Sequence, residues 1–528
     1  MPEFEISWID LAVLVLYVVG TRVFFGWWLS RKASEGAEGY FLAGRNIAWP
    51  IIGLSFYVSN MSGSSFVGLP GSGYNTGISV YNYEWVPVAV LIFFLFFLLP
   101  QYLAAKIYTA PEFLERRYGR TLRLLFSGFL LLANIFIDAA AALYAGATIA
   151  QTLYPGLPLG WIVGVTAMAA GIYIFFGGLG AVVINDALQA VLIFGGGLAI
   201  CILAWLQIPS WEEVKASAPP EALSLIQPAD DPVMPWPGLF GVFLIGLYFW
   251  SMNQFVIQRA LGAKDISHAR RGLLFAGVLK LPNLFILILP GVMATALYPG
   301  LENPDLVFPT MAFDLLPIGL RGLMLAALAA AILSSLEAIL NSASTLLTMD
   351  FVKSLRPDTG DKALVWWGRG ATLGFMVVAA LWAPQITRFT TLWQYLQSIL
   401  SYTTPSVVVI FLGGIFWARG TKRGAEFTLA TGLCVGVAAW LAVEVFSVVE
   451  LQFLYASAGL FILNAVFFVV VSLLTEAPER EAIDELLWRR GRLHESLEGG
   501  VEERWWNDHR VLAIALGAVT AAIVVWWW

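Results

Sequence analysis

The sequence predicts an all-α polytopic membrane protein with about fourteen transmembrane helices. Three observations predict it. Of 528 residues, 59% are apolar and only 12% are charged, about half the charged share of a soluble domain. Apolar runs near the ~20 residues that cross a bilayer recur along the whole chain. The loops between them are too short to hold a soluble domain, so length counts spans here and a soluble enzyme is excluded.

In order, the runs are residues 8–29, 47–70, 79–105, 121–150, 160–176, 181–206, 237–258, 272–298, 319–348, 365–384, 391–417, 425–446, 452–474 and 510–528. The start, Met-Pro-Glu-Phe-Glu, has no basic n-region, and no small-residue cleavage site follows. Span one is therefore expected to be retained as a helix. With the N-terminus outside, nearly all of the 30 basic residues fall in cytoplasmic loops. Lys215, Arg321 and Arg388 lie outside, and Arg22 and Lys280 lie within spans. This satisfies the positive-inside rule and puts both termini on the extracellular or periplasmic side of a plasma or bacterial inner membrane.

Composition excludes several function classes. Cys201 and Cys434 both lie in apolar runs, so there is no disulfide framework and no CxxC site. His268, His494 and His509 all fall in loops, which leaves no intramembrane imidazole for haem, copper or catalytic zinc. The net charge of −6 is spread over many loops, and no basic stripe suggests nucleic acid. The longest loops are the acidic, Pro-rich 207–236 and the charged 475–509. In the latter, Ile483, Leu486, Leu487 and Leu493 suit a short interfacial helix, with a solvated linker as the alternative. Tryptophans bunched at span ends, such as Trp27 and Trp28, fit an aromatic belt.

A charge at bilayer depth is costly, so each intramembrane ionisable residue is a site candidate. These are Arg22, Glu84, Asp138, Asp186, Lys280, Glu337 and Glu444. Arg22 and Glu444 lie near span ends and can snorkel. Asp138 follows Asn134 by four residues on one helix face, which suits a structural hydrogen bond as well as transport. Glu84, Asp186, Lys280 and Glu337 are the stronger cases.

Span two contains SNMSGSSFVGLPGSGYNTG, residues 59–77, where glycine, serine and proline are too dense for an unbroken helix. A break at mid-membrane leaves carbonyls without helical partners, and these persist only where they line a cavity or bind something. In span nine, Ala331, Ser334 and Ser335 fall at i, i+3 and i+4 and share a face. Small hydroxylated residues also serve close helix packing. Facing freed carbonyls, however, two hydroxyls would form an all-oxygen site suited to a hard monovalent cation.

Six ordered motifs carry a family resemblance: SGSSFVGLPGSGY with YEW after it, APEFLERRYG, FFGGLGAVVINDALQ, LYFWSMNQFVIQRALGAK, SSLEAILNSASTLLTMD and YLQSILSYTTP. From about residue 40 to 420 the chain resembles the sodium:solute symporter family, and within it the sodium/sugar cotransporter branch. The resemblance implies a LeuT-like core of two inverted five-helix repeats with a broken first core helix. It divides the chain into 1–46 (extra helix and cytoplasmic loop), 47–206 (first repeat), 207–236 (extracellular loop), 237–417 (second repeat) and 418–528 (three last helices). A second break is expected near Gly246 to Trp250, although composition there gives no sign of it.

Carried over by motif, the resemblance implies a sodium site of the Val58, Met61 and Ala331 carbonyls with the Ser334 and Ser335 hydroxyls. Asp186 would assist sodium release. Solute would meet Asn60, Ser65, Glu84, Lys280 and Gln397, with Tyr83 and Trp393 as outer gates and Phe249 and Trp250 as the inner stacking pair. A carboxylate, an ammonium and amides together suit a polyol, whose hydroxyls both donate and accept. At Phe249 the sugar-transporter pattern has tyrosine, and Gly246 and Ser65 replace larger amides, so the pocket has fewer direct hydrogen bonds and more room. Glu337 stands where the family has a small or hydroxylated residue. It either serves a second cation or proton site with Asp186 or pairs structurally with a neighbour such as Lys280.

The expected function is sodium-coupled symport of a small polar solute, a sugar or polyol, by alternating access. The protein would act in the lipid bilayer as a monomer or weak homodimer. The alternatives are a proton- or sodium-coupled symporter of an amino acid, carboxylate or osmolyte and, more distantly, a solute sensor that does not transport. A membrane enzyme is disfavoured because the buried polar set holds no nucleophile with its base and no metal ligands.

Overall fold

The computed structural model describes residues 6–17, 20, 47–107, 109–154, 156–176, 182–219, 221–489 and 508–528. Among these all regular structure is helical apart from isolated bridges such as Ile47 with Ala263. Ten helices are long and apolar enough to cross a membrane, or eleven if a bent pair counts as one span. Arg22 and half of span one lie outside the described residues; α1 (Trp8–Tyr17) is the helix described in it.

Next come α2 (Trp49–Asn60) and α3 (Gly63–Thr76), then α4 (Asn82–Phe93), which a π-helical turn prolongs towards Ala104. Following them are α5 (Ala110–Tyr118), α6 (Arg120–Leu153), α7 (Leu159–Phe176) and α8 (Val182–Gln207). The second half holds α9 (Leu239–Ser251), α10 (Gln254–Leu261), α11 (Ile266–Leu297), α12 (Val307–Leu315), α13 (Leu320–Val352) and α14 (Asp361–Trp382). Last are α15 (Leu392–Phe416), α16 (Lys422–Val445), α17 (Phe453–Leu474) and α18 (His509–Trp526).

Helix starts follow local capping chemistry. Asp265 accepts from His268 N at 2.8 Å, Thr391 from Gln394 N at 3.1 Å and Thr421 from Gly424 N at 3.1 Å, each satisfying an amide the first turn leaves unpaired. For α13 the cap comes from a distant helix. Gly319 has no side chain to offer, and Asp10 of α1, fully buried, accepts from Gly319 N at 2.7 Å and Gly322 N at 2.9 Å.

The dense glycines of 59–77 break the chain only at Met61 and Ser62, and α3 then runs to Thr76 with Pro70 inside it. Most of these glycines serve packing. A Cβ at Gly73 would lie 2.6 Å from Ile288 O, and one at Gly68 would lie 3.0 Å from Trp393 N. The second break falls at Met252 and Asn253, beyond the expected Gly246 to Trp250, with α10 turned 55° from the helix before it.

Ion pairs mark one end of the bundle, where Arg123 bridges Glu115 at 2.6 Å and Asp350 at 2.8 Å. Arg117 caps the end of α15 through Gly414 O and Trp417 O, at 3.0 and 3.1 Å. The described part of the charged loop forms only short turns, Arg480–Ile483 and Asp484–Leu486. Its Ile483, Leu486 and Leu487 are buried against protein, and Trp488 N donates to Ile415 O at 2.8 Å. Contact with protein, not a membrane surface, thus satisfies its apolar side chains; Leu493 lies outside the described residues. At the other end, Leu225 N donates to Trp527 O at 2.8 Å, so the end of α18 lies beside the 207–236 loop.

Candidate functional site

The site begins with close helix approach. Gly53 of α2 and Gly272 of α11 pack so tightly that a Cβ at either would lie 2.5 Å from a neighbouring side chain, Phe275 or Ile52. This small-residue contact brings the end of α2 against α11, and with it Asn60 against Lys280. Gly63, at the start of α3, similarly abuts Ile332, where a Cβ would lie 2.3 Å from Cγ1. The break is thereby held against the turn of α13 that carries Ser334 and Ser335.

The break itself frees carbonyls. In a continuous helix the amides of Ser62 and Ser65 would bond to Val58 O and Met61 O. Here Ser62 N donates to Asn60 O and Ser65 N to Ser62 O, both at 3.0 Å. The Ser65 hydroxyl donates to Asn60 O at 2.8 Å, which holds the turn open. Neither the Ser334 nor the Ser335 hydroxyl has a hydrogen-bond partner among the described residues. An unclaimed carbonyl or hydroxyl oxygen can ligate a hard cation.

A cavity of about 130 Å³ lies at this point. Val58, Met61, Ala331, Ser334 and Ser335 line it, as do Asn60, Ser65 and Gln397. Tyr83, Phe249, Trp250 and Trp393 complete the expected set around it. Glu84, Lys280 and Glu337 do not line it. Asp186 lies in the helical backbone of α8, but its side chain is outside the described residues.

Glu84 and Lys280 stand behind the wall, both essentially fully buried, as an ion pair at 2.8 Å. The ammonium donates also to Asn60 Oδ1, which does face the cavity, and lies 5.0 Å from the Trp250 ring. Asn283, one turn after Lys280, donates to Glu84 Oε2 and accepts from Tyr57 OH at 2.7 Å. Lys280 thus pairs with Glu84. Glu337 is 3% exposed within α13. Glu84 Oε1 has no hydrogen-bond partner among the described residues, an unused acceptor one side chain from the cavity.

Tyr83 and Trp393 meet edge to face, centroids 5.8 Å apart. They also line a second cavity of about 20 Å³ with Ser72, Asn75, Thr391 and Gln394, so this aromatic pair divides the two. Beneath the main cavity Phe249 packs edge-on against Trp250 and Phe255, at 5.2 and 5.9 Å. Asn253, Phe255 and Arg259 of the bent segment reach its lining.

Two lining residues were missed or undervalued by sequence reasoning. Asp138 is in the lining, and Asn134, its suggested partner, bonds instead to Ser342 Oγ at 3.4 Å. Gln189 also lines the cavity; its signal was its place in the FFGGLGAVVINDALQ motif, one turn after Asp186. Asn283, behind the wall, was signalled only by its i+3 spacing from Lys280.

A sequence profile of the sodium:solute symporter family matches residues 40–432. Sodium/myo-inositol cotransporter 2 of Homo sapiens is 35% identical over 91% of this chain and 78% of its own. A sodium/glucose cotransporter of Vibrio parahaemolyticus is 33% identical over 80% of this chain and 83% of its own. Among solved structures, a substrate-bound, outward-open Na+-coupled sialic acid symporter superposes with a TM-score of 0.73 at 22% identity, covering 90% of this chain and all of that one. At that identity the likeness carries the fold alone. The profile match spans well over half the chain, through both helix breaks and the serines facing them: the protein belongs to the sodium:solute symporter family.

Proposed function

We propose that the chain imports a neutral sugar or polyol, of the myo-inositol or glucose class, with sodium by alternating access about the central cavity. The observation that carries this reading is the meeting of the freed Val58 and Met61 carbonyls with the unclaimed Ser334 and Ser335 hydroxyls in the cavity that Asn60, Asp138 and Gln397 also line. The carbonyls, with that of Ala331 and the two hydroxyls, form the sodium site, and Asp186 assists release. Asn60, Ser65 and Gln397 meet the solute directly. Glu84 and Lys280 reach it by rearrangement of the ion pair behind Asn60. The names of the relatives supply the substrate class.

Asp138 lines the same cavity, and its carboxyl group can accept from solute hydroxyls, which suits a polyol. Tyr83 with Trp393 form the outer gate, and Phe249 with Trp250 the inner stacking pair. Sodium holds α2 against α13 and so favours the outward-open form. One charge crossing 100 mV contributes about 2.3 kcal/mol before any concentration gradient is added. Fourteen spans, a 5+5 inverted repeat and both termini outside complete the architecture. Glu337 is assigned to a second cation or proton site with Asp186.

The test is uptake of labelled myo-inositol, glucose, sialic acid, proline and pyruvate into proteoliposomes under an inward sodium gradient. One polyol is expected to accumulate with sodium and not with choline, and Ser335→Ala should abolish the sodium dependence. Uptake driven by a proton gradient alone, and blunted by Glu337→Gln, would overturn sodium coupling. Accumulation of a carboxylate would overturn the substrate class.

A further inference from the structure

Asp138 lines the cavity that Asn60, Ser65 and Gln397 also line. Its carboxyl group makes no hydrogen bond and no ion pair among the described residues. Buried carboxylates elsewhere in the bundle are engaged: Asp10 caps α13, Glu84 pairs with Lys280, and Asp350 takes Arg123 and the Ser127 hydroxyl. A carboxyl group set in a closed space without a partner is costly to ionise, and a counter-charge is the ordinary remedy. Among the described residues no cation fills that place. Lys280 is taken up by Glu84 behind the wall. Arg259, the other charged side chain of the described lining, is held by Ser55 Oγ at 2.8 Å and by Phe255 O.

The position of Asp138 is built by three helices. α6 makes a π-helical turn from Asn134 to Ala139, after which Ala140 N donates to Ile135 O, five residues back. The wider turn redirects the side chains it carries. The Phe136 carbonyl, which Ala140 N would take in a continuous α-helix, accepts instead from Tyr395 OH of α15, and Tyr395 OH accepts from Trp382 Nε1 of α14 at 2.7 Å. Two neighbouring helices thus lock the turn that sets Asp138 in the cavity wall. Tyr248 of α9 lines the same cavity and lies close enough to feel the Asp138 charge. Its hydroxyl makes no hydrogen bond among the described residues. A carboxylate accepts only and a phenol can do either, so the two together match a solute that presents an ammonium group with a hydroxyl beside it. The bond from an ammonium to a carboxylate is also stronger than one from a hydroxyl, because both partners are charged.

We infer that Asp138 is a subsite for a protonated amine, through which the chain carries aminodeoxy sugars or aminocyclitols, polyols with one hydroxyl replaced by an ammonium group, in preference to their neutral counterparts. The inference rests on the polyol site proposed above and adds a charged member to its substrate class. No covalent step is involved; the solute supplies the counter-charge that the chain withholds from Asp138.

The test compares matched pairs, glucose with glucosamine and myo-inositol with its monoamino analogue, as labelled solutes in proteoliposomes under an inward sodium gradient. The pH is held at about 6.5, below the range in which such amines lose their proton. In at least one pair the amino member should show a kcat/KM at least fivefold above that of its hydroxyl counterpart. Current normalised to flux should show one more positive charge moved per amino solute. Equal or lower kcat/KM for the amino member of both pairs overturns the inference, and so does an equal charge per solute. Asp138→Asn should lower the amino-to-hydroxyl ratio at least tenfold, whatever loss both members share. An unchanged ratio overturns the subsite, as does an effect confined to half-saturation by sodium, which would assign the carboxylate to the ion. Should Asp138→Asn fail to fold, the wild-type pairs decide alone.

The same panel separates this inference from the reading beneath it. Uptake of the neutral members alone leaves the polyol reading standing and overturns the inference. Uptake of none of the four overturns both.

Discussion

Asp305 holds the first amide of α15: its carboxylate oxygens lie 2.9 and 3.1 Å from Leu392 N. It sits on a 3-10 turn, Pro304–Leu306, between spans, 2% exposed, and also accepts from Tyr144 OH at 3.2 Å. One buried group thus ties a loop to α15, which carries Trp393, and to α6.

Burial pushes the Asp305 carboxyl up to about 7, against the opposing pull of the Leu392 amide and the Tyr144 hydroxyl. An acid whose folded value lies above its unfolded one weakens the fold as it ionises. Stability is therefore flat below about pH 4, falls as pH rises to about 7 and is level beyond. Each tenfold difference in proton affinity between the folded and unfolded chain is worth ~1.4 kcal/mol, so the fall is on the order of 4 kcal/mol at most. Asp305→Asn keeps an acceptor for Leu392 N and should flatten the melting temperature of purified protein between pH 5 and 8. An unchanged slope would remove Asp305 as its source.

The Glu84 and Lys280 pair predicts a non-additive series. Removing one partner strands a buried charge, so Glu84→Gln or Lys280→Met should each destabilise by about 3–5 kcal/mol, and the double variant by less than the sum. Thermal stability of the four proteins measures the coupling, and additive losses would show that the ion pair does not act as one.

For Asp10, two amides of α13 are at stake. Asp10→Ala should cost about 1–2 kcal/mol as a lost helix cap. Gly322→Ala should cost more, since its Cβ would lie 2.5 Å from Asp10 Cα. The same melting experiment reads both, and the opposite ranking would mean that α1 can move away at little cost.

Gly68→Ala tests the proposed outer gate. The new Cβ would lie 3.0 Å from Trp393 N and 3.2 Å from its Cβ, pushing α3 from α15. The expected result is a population shift towards an open outer side. With Cys201 and Cys434 replaced, a Ser72→Cys probe in the smaller cavity should react severalfold faster with an impermeant thiol reagent in the Gly68→Ala background. Equal rates would show that closure does not depend on this contact.

Helix existence was legible in the sequence because apolar length is a direct physical demand of the bilayer. The serine pair was legible because i, i+3 and i+4 fix a face whatever the tertiary structure. Break positions were not read as well. Glycine was taken as a helix breaker along 59–77, yet Gly68 and Gly73 permit close contacts inside α3. The second break is made by Asn253, whose side chain accepts from Phe255 N at 3.4 Å to start α10; the signal was a capping residue, not a flexible one. That Glu84 and Lys280 stand behind Asn60 depends on the Gly53 and Gly272 contact, a tertiary fact that no spacing along the chain encodes.

Asn60 takes part in two systems at once. Its backbone carbonyl receives the bonds that open the turn beside Val58 and Met61, and its side-chain oxygen receives the Lys280 ammonium. Fidelity of a cotransporter is lost by slippage, when the ion crosses without its passenger. On the reading proposed above, a single residue joined by its backbone to the turn at the ion site and by its side chain to the Lys280 ion pair leaves little room for such futile cycles, because neither half of the site can relax alone.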